Sequence, residues 1–535
     1  MPPRKGKYLR LLCRFYEPLV LLAALGKTRG THTSNPQDTS TTQSKRRRLL
    51  RNLSYLCDYE KGGETTSSIG LEENEHYFIF WLASNATRPR TCHNIVEFLR
   101  RTFAQIHSMI TSGENERGNA EHEFINKCIE FAEPRVRKEI KLLSKAIEKC
   151  EKHLDSTKII QDSQLKTWLS QFSQESRKSR ADVCFQAYNQ RKATEMSWLE
   201  DEINTNNGET CLHGQASPFS TVHHYLGRLA AHVRRPKEVI EDSIALSHLF
   251  DEYKICAVQP RPSCKRPEAD SLTELNSILG RMLPSHEAKM GEYKEALASL
   301  DQKFNIAHRV RRTYADENFQ PRIHAEIQIL EHFCTNQLRF IDNDSYIGCS
   351  KPACYCCHLY FQHHPSTPVV PESHQKIYLN WGVPDLPGGV SNPGYNPQRD
   401  LMNKMVERIR QDALEQIKQK AGPLKWHADS LTEFTERTAE LAPAARHQGE
   451  SSFERHLTSL NTGTSHFLFL VMYLGANNPA PALHKSASNL QMQLEDFGES
   501  SESSFEEKSY STNGLHDELG ADFDSDVDSE GGVAL

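Results

Sequence analysis

Four cysteines fall between positions 349 and 357, in the stretch "CSKPACYCCH", out of fourteen in the whole chain. No other feature limits the fold as tightly, because thiols this close must either pack as small hydrophobes or converge on a metal ion. Helical geometry separates them. At about 100° per residue, Cys354 and Cys357 share one face of a helix, while Cys356 points away from both. Cys349 belongs to the strand read in "SYIGCS", on the same side as Ile347, and is expected in the core. Pro352 is read in the first turn of the following helix, which places both converging thiols near a helix N-terminus. There the exposed backbone N–H groups favour thiolate over thiol.

A C-x-x-C pair is only half of a zinc site, and the sequence holds no second pair and no H-x₃₋₅-H at finger spacing; His363 and His364 are adjacent. It does hold "RIHAEIQILEHF", which puts His324 thirty residues before Cys354. One imidazole and two thiolates leave the fourth tetrahedral position open, the catalytic pattern rather than the structural one. Glu326 follows His324 by two residues and is placed to act as a general base beside that position. Blander alternatives are a hydrogen-bonded core histidine at 324 and a carboxylate at 326 that only complements the helix dipole. Arg309, Arg311, Arg312 and Arg322 precede the motif and read either as phosphate contacts or as a solvated face. His358, His363 and His364 are expected at the surface or behind the ligands.

His324-Ala325-Glu326 followed by Cys354-x-x-Cys357 resembles the zinc deaminase motif, in which the glutamate is not a ligand. Residues 315–385, and "YIGCSKPACYCCHLYF" above all, are similar to a fungal family of predicted zinc-dependent nucleic acid or nucleotide deaminases in the cytidine-deaminase-like superfamily. One residue departs from the pattern: Ala353 stands between Pro352 and the first ligand cysteine. The resemblance implies a Zn²⁺ ion held by His324, Cys354 and Cys357, with Glu326 shuttling protons. It also implies hydrolytic deamination of a base in a nucleotide or single-stranded nucleic acid. The alternative is a non-catalytic interaction protein in which zinc only staples a deaminase-like fold. No H-E-x-x-H is present, which argues against a zincin protease. The sequence also shows no basic stripe interleaved with aromatics and no known nucleic-acid module.

The expected fold class is α+α/β: a large, mainly helical N-terminal region, then a small cytidine-deaminase-like layer domain and a disordered acidic tail. The division expected is a basic arm and linker over 1–44, a helical domain over 45–300 and the zinc domain over 301–425. An extension over 426–475 and a tail over 476–535 follow. Apolar spacings of three and four run through residues 120–154, with Pro134 breaking them. Helices are also expected over 94–110, 220–233, 239–253 and 271–305, and a long amphipathic one carries Leu401, Met405, Ile409, Leu414 and Ile417. "KIYLNW" (376–381) and "HFLFLVMYL" (466–474) read as strands.

Charge is divided unevenly. Residues 1–52 hold twelve Lys/Arg and two acids, a net of +10, and residues 493–535 hold thirteen acids and one lysine, a net of −12. Head and tail can pair with each other or with separate partners, and protein partners are expected through the helical domain or the tail. The apolar run Leu19–Leu25 is too short to span a bilayer, so no transmembrane segment is expected. The arm is also compatible with a signal or transit peptide. Lys45–Arg48 reads as a nuclear address, a polyanion contact or a solvated run. Singly scattered cysteines point to a reducing, intracellular compartment: cytoplasm or nucleus, with the mitochondrion open through the Arg-rich arm.

Overall fold

In the chain's first half, the computed structural model places helices α1 (Lys7–Leu25) and α2 (Thr42–Cys57), then the hairpin strands β1 (Ser67–Glu73) and β2 (Phe78–Ser84). Helices α3 (Pro89–Thr111), α4 (Glu114–Phe131), α5 (Glu133–Leu154), α6 (Ile160–Ser173), α7 (Arg180–Gln190), α8 (Thr194–Asn206) and α9 (Pro218–Ala245) follow. After β3 (Tyr253–Ala257) come α10 (Leu275–Met282), α11 (Met290–Phe304), α12 (Ile306–Ala315) and α13 (Ala325–Asn336). Strand β4 (Ile347–Cys349), α14 (Tyr355–His363) and α15 (Tyr395–Lys418) complete the order. The residues described are 5–424, apart from 34–40, 87–88, 113, 156–159, 174–178, 207–216, 285 and 318. The expected strand at 466–474, the extension from 426 and the acidic tail lie outside them.

The sheet runs β3-β2-β1-β4, antiparallel except for the β2–β3 pair. Its two faces are set by glycines. Gly70 pairs with Ile347, and a Cβ on Gly70 would lie 2.6 Å from Ile329 of α13. Gly348 pairs with Ile69, and a Cβ there would lie 2.4 Å from the backbone of Leu50 in α2. Cross-strand partners share a face, so α13 lies tight on one side and α2 on the other. Ile69, Leu71, Phe80 and Leu82 meet α2 and α3 in one core, while Ile347 joins α13 and α14 in another. A third core lies among α4 to α9. The fold class is the expected one: mainly helical, with a small mixed α/β layer.

One local expectation holds and several differ from the structure. Pro134 sits in the first turn of α5, so the run over 120–154 is two helices, as its sequence indicates. Pro236, by contrast, lies inside α9, which continues through the gap expected between 233 and 239. Tyr253 then starts β3 instead of ending a helix. "KIYLNW" forms no regular strand; Lys376 and Trp381 make only single bridges, to Thr28 and Arg322. In α15, Leu401, Met405, Ile409 and Ile417 are buried, while Leu414 is half-buried because Ala413 takes the inward position.

The arm expected over 1–44 departs most. Leu11, Leu12, Phe15, Tyr16 and Leu19–Leu25 of α1 are buried in the same core as α13 and α14. Burying this apolar stripe is worth on the order of 1.5–3 kcal/mol per large side chain, which decides its place against the peripheral charges. Removal as a targeting peptide would strip that core of a helix. The three arginines of the run at 45–48 are likewise occupied: Arg46 pairs with Asp342 at 2.6 Å, Arg47 with Asp344 at 2.6 Å and Arg48 with Asp242 at 2.7 Å. A boundary at 301 also cuts the layer structure, since β1, β2 and β3 come from before it and β4 from after it. No helix among the described residues is long and apolar enough to cross a membrane.

Candidate metal centre

Both parts of the motif stand at helix N-termini. His324 is the N-cap of α13, and Glu326 lies in that helix's first turn. Cys354 is the N-cap of α14, and Cys357 is its third residue. Pro352 therefore precedes the cap and does not lie in the first turn. The Cys357 N–H donates to Cys354 Sγ at 3.4 Å, one of the unpaired amides that a helix start offers to an anion.

These ends converge. His324 Nδ1 lies 3.6 Å from Cys354 Sγ and 3.3 Å from Cys357 Sγ, and all three donor atoms lie within 4.8 Å of one another. Tetrahedral zinc with ordinary Zn–S and Zn–N lengths sets a sulfur–nitrogen separation of about 3.6 Å, so this donor set fits that ion. The three side chains are buried, and Trp381 Nε1–H donates to Cys357 Sγ at 3.2 Å. Cys356, though fully buried, is not part of the group; burial pushes its thiol well up. Cys349 is half-buried beside Ser68, on the face of β4 that carries Ile347.

The electrostatics follow from burial and crowding. Burial opposes ionisation of Cys354, but the Cys357 thiol and the His324 imidazole hold it well below the usual thiol range. Burial and the Cys354 charge push Cys357 well up. Burial works to lower His324, yet its thiolate neighbour raises it. Glu326 is 5% exposed, and burial raises its carboxyl against the opposing pull of His324. A cation among the donors would favour the deprotonated form of every one of them.

A pocket opens onto His324, Glu326 and Cys354. Its other walls are Gly63, Thr66, Asn85, Arg322, Lys351, Pro352, His374, Tyr378 and Asn380. Asn85 ties the hairpin to the site, its Oδ1 accepting from the Ala325 N–H at 2.8 Å and its Nδ2 donating to Gly63 O at 3.0 Å. Of the four arginines singled out in sequence, Arg322 alone lines the pocket, where it pairs with Glu64 at 2.5 Å. Arg309 donates to Ala24 O and Arg311 to Ala307 O, away from it. His364 pairs with Glu331, and His358 Nδ1 lies 3.2 Å from Pro371 O. Sequence reasoning missed Asn85, Lys351, His374 and Tyr378. The apolar, aromatic run Phe78–Leu82 after the Asn74–His76 turn was a strand signal that could have led to Asn85.

A family model described as an OTT_1508-like deaminase matches residues 323–385, the segment that holds both ligand helices. That match and the His/Cys/Cys group together define a deaminase-like site. No curated protein and no solved structure matches the chain.

Proposed function

We propose that this protein is a zinc-dependent hydrolytic deaminase of a nucleobase carried in a nucleotide or nucleic acid. The observation that carries the reading is the pairing of three convergent donors with a buried carboxylate, Glu326, that is not one of them. A structural zinc staple needs no such carboxylate. His324, Cys354 and Cys357 would hold the zinc ion, which would supply a water activated as a nucleophile near neutral pH. Glu326 accepts the proton lost as that water attacks the amidine carbon, and returns protons to the ring nitrogen and the departing amine. The C–N bond breaks, a carbonyl replaces the amidine, and ammonia leaves. Burial keeps the Glu326 carboxyl above its usual range, which suits a group that must hold a proton within the cycle.

The pocket wall supports a planar, polar and anionic substrate. Tyr378 and His374 offer ring faces, and Arg322 and Lys351 stand at the wall as cations already paired with Glu64 and Asp58, which an anionic substrate would have to share. All thirteen cysteines among the described residues are free, which supports a reducing compartment. The deciding experiment is ammonia release by the zinc-loaded full chain on a panel of nucleosides, nucleotides, RNA and single-stranded DNA. At least one class should be deaminated. A zinc-loaded protein inert on every member would leave the staple reading in its place.

A further inference from the structure

A single three-residue segment holds both ligand-bearing helices. The Arg322 N–H donates to Asn380 O at 2.8 Å, and the Gly382 N–H donates to Arg322 O at 2.7 Å, two residues before His324. Between those contacts, the Trp381 indole N–H reaches Cys357 Sγ at 3.2 Å. The approach is close: a Cβ on Gly382 would lie 3.1 Å from Arg322 N and 2.6 Å from Ser263 Cβ. Trp381 and Cys357 have no exposed surface. The indole is seated between Phe15 of α1, at 5.4 Å between ring centroids, and Tyr360 of α14, at 6.1 Å. Tyr16 O–H donates to the Trp381 carbonyl at 3.4 Å, so α1 supports the residue from its backbone as well.

We propose that Trp381 is a positioning residue of the metal centre, fixing the separation of His324 and Cys357 and the donor strength of the Cys357 thiolate. The proposal rests on the metal-binding reading above. A buried N–H···S hydrogen bond withdraws electron density from the sulfur and selects one Cys357 rotamer, and groups behind a ligand act on affinity through just these effects. Among the described residues the Cys357 sulfur is the acceptor of the indole N–H, and a buried indole N–H is expected to have one. Pure packing would need the ring and not the nitrogen.

The test compares the full-length wild type with Trp381→Phe. Zinc affinity is measured by competition with a chromophoric chelator, and the sulfur-to-metal charge-transfer band is recorded with Co²⁺ loaded instead. The variant should bind zinc about 10–100-fold more weakly, because the Cys357 rotamer and its spacing from His324 are no longer held, and its cobalt band should move to longer wavelength, because the thiolate has lost a hydrogen bond. If Trp381→Phe does not fold, β-(3-benzothienyl)alanine installed at 381 keeps the bicyclic shape and removes the N–H alone; the same two changes are expected. Phe15→Leu controls for packing: it should lower the melting temperature and leave the band where it was. Unchanged affinity and band in the variant overturn the proposal, as does an equal band shift in Phe15→Leu. A wild type that takes up neither ion overturns the metal reading itself, and this inference with it.

Discussion

Two of the buried polar clusters among the described residues are built on opposite principles. In the helical region Glu139 accepts from Arg135 Nε at 3.2 Å and Arg228 Nε at 2.6 Å, and lies 3.0 Å from His232 Nε2. All four residues are buried. Burial works to raise Glu139, but the two guanidinium groups and the imidazole hold it well below the usual carboxylate range. At the candidate metal centre burial raises the carboxyl of Glu326, and its nearest titratable neighbours are the His324 imidazole and the Cys354 and Cys357 thiols. One cluster closes its charge within the fold; the other, on the function proposed, is completed by a cation and a substrate. A buried charge with its counter-charges alongside is architecture, whereas one left short of them is a candidate for chemistry.

The largest effect separating the two belongs to Glu326→Gln. The amide is nearly isosteric and is not a ligand, so zinc content and melting temperature should stay at wild-type values. Ammonia release should fall by at least ~10²–10⁴-fold, the range for general acid–base groups. A loss of stability with full activity would mean that Glu326 only complements the dipole of α13, and the contrast with Glu139 would collapse.

Glu139→Gln should do the reverse. It leaves Arg228 buried without its carboxylate and Arg135 with Asp58 alone, which costs about 3–5 kcal/mol, against a typical total of about 5–15 kcal/mol. Protein that does fold should keep its zinc. The pH dependence has a definite sign. Because the folded carboxyl is depressed, its contribution is complete above the ordinary carboxylate range and is lost as pH falls through the folded value. The gap in melting temperature between wild type and Glu139→Gln should therefore be widest near neutrality and narrow below about pH 4. A gap that widens on acidification would show that Glu139 is not held ionised by its neighbours.

The open cluster should also lose its metal one ligand at a time. His324→Ala, Cys354→Ser and Cys357→Ser should each purify with far less zinc than wild type, measured by elemental analysis. A chelator should lower the melting temperature of wild type and leave these variants little changed, since metal binding and folding share one free energy.

This contrast also explains what the sequence could reveal. His324 and Glu326, and Cys354 and Cys357, are each set by one helix start, so short-range spacing was enough to associate them. The pocket wall depends on pairing between distant segments: Ser68 with Cys349, or Thr33 with Ser373. No local pattern encodes such register. The same limit misplaced α1, whose basic residues resemble a free arm until α15 and α12 cover its apolar side. It also misplaced the strand at 376–381, where strand-forming residues find no partner strand to complete a ladder. The charged cluster at Glu139 was invisible for a related reason, because Arg135 and Arg228 are 93 positions apart and meet only after α5 packs on α9.

The smallest effect tests neighbouring cysteines rather than distant clusters. Cys356 and Cys357 are adjacent and both fully buried, yet about 100° of helical rotation turns one into the apolar core and the other onto the metal centre. Cys356→Ser exchanges a thiol that packs as a small hydrophobe for a hydroxyl with no partner provided, at a cost of about 1–3 kcal/mol. Its zinc content should equal that of wild type, and the loss should appear as a lower melting temperature alone. Cys356→Ala should lose less than Cys356→Ser, since it buries no polar atom. If Cys356→Ser instead empties the site while Cys357→Ser keeps its zinc, the ligand register is shifted by one residue. The cap at Cys354 would then no longer define which face of α14 meets the ion.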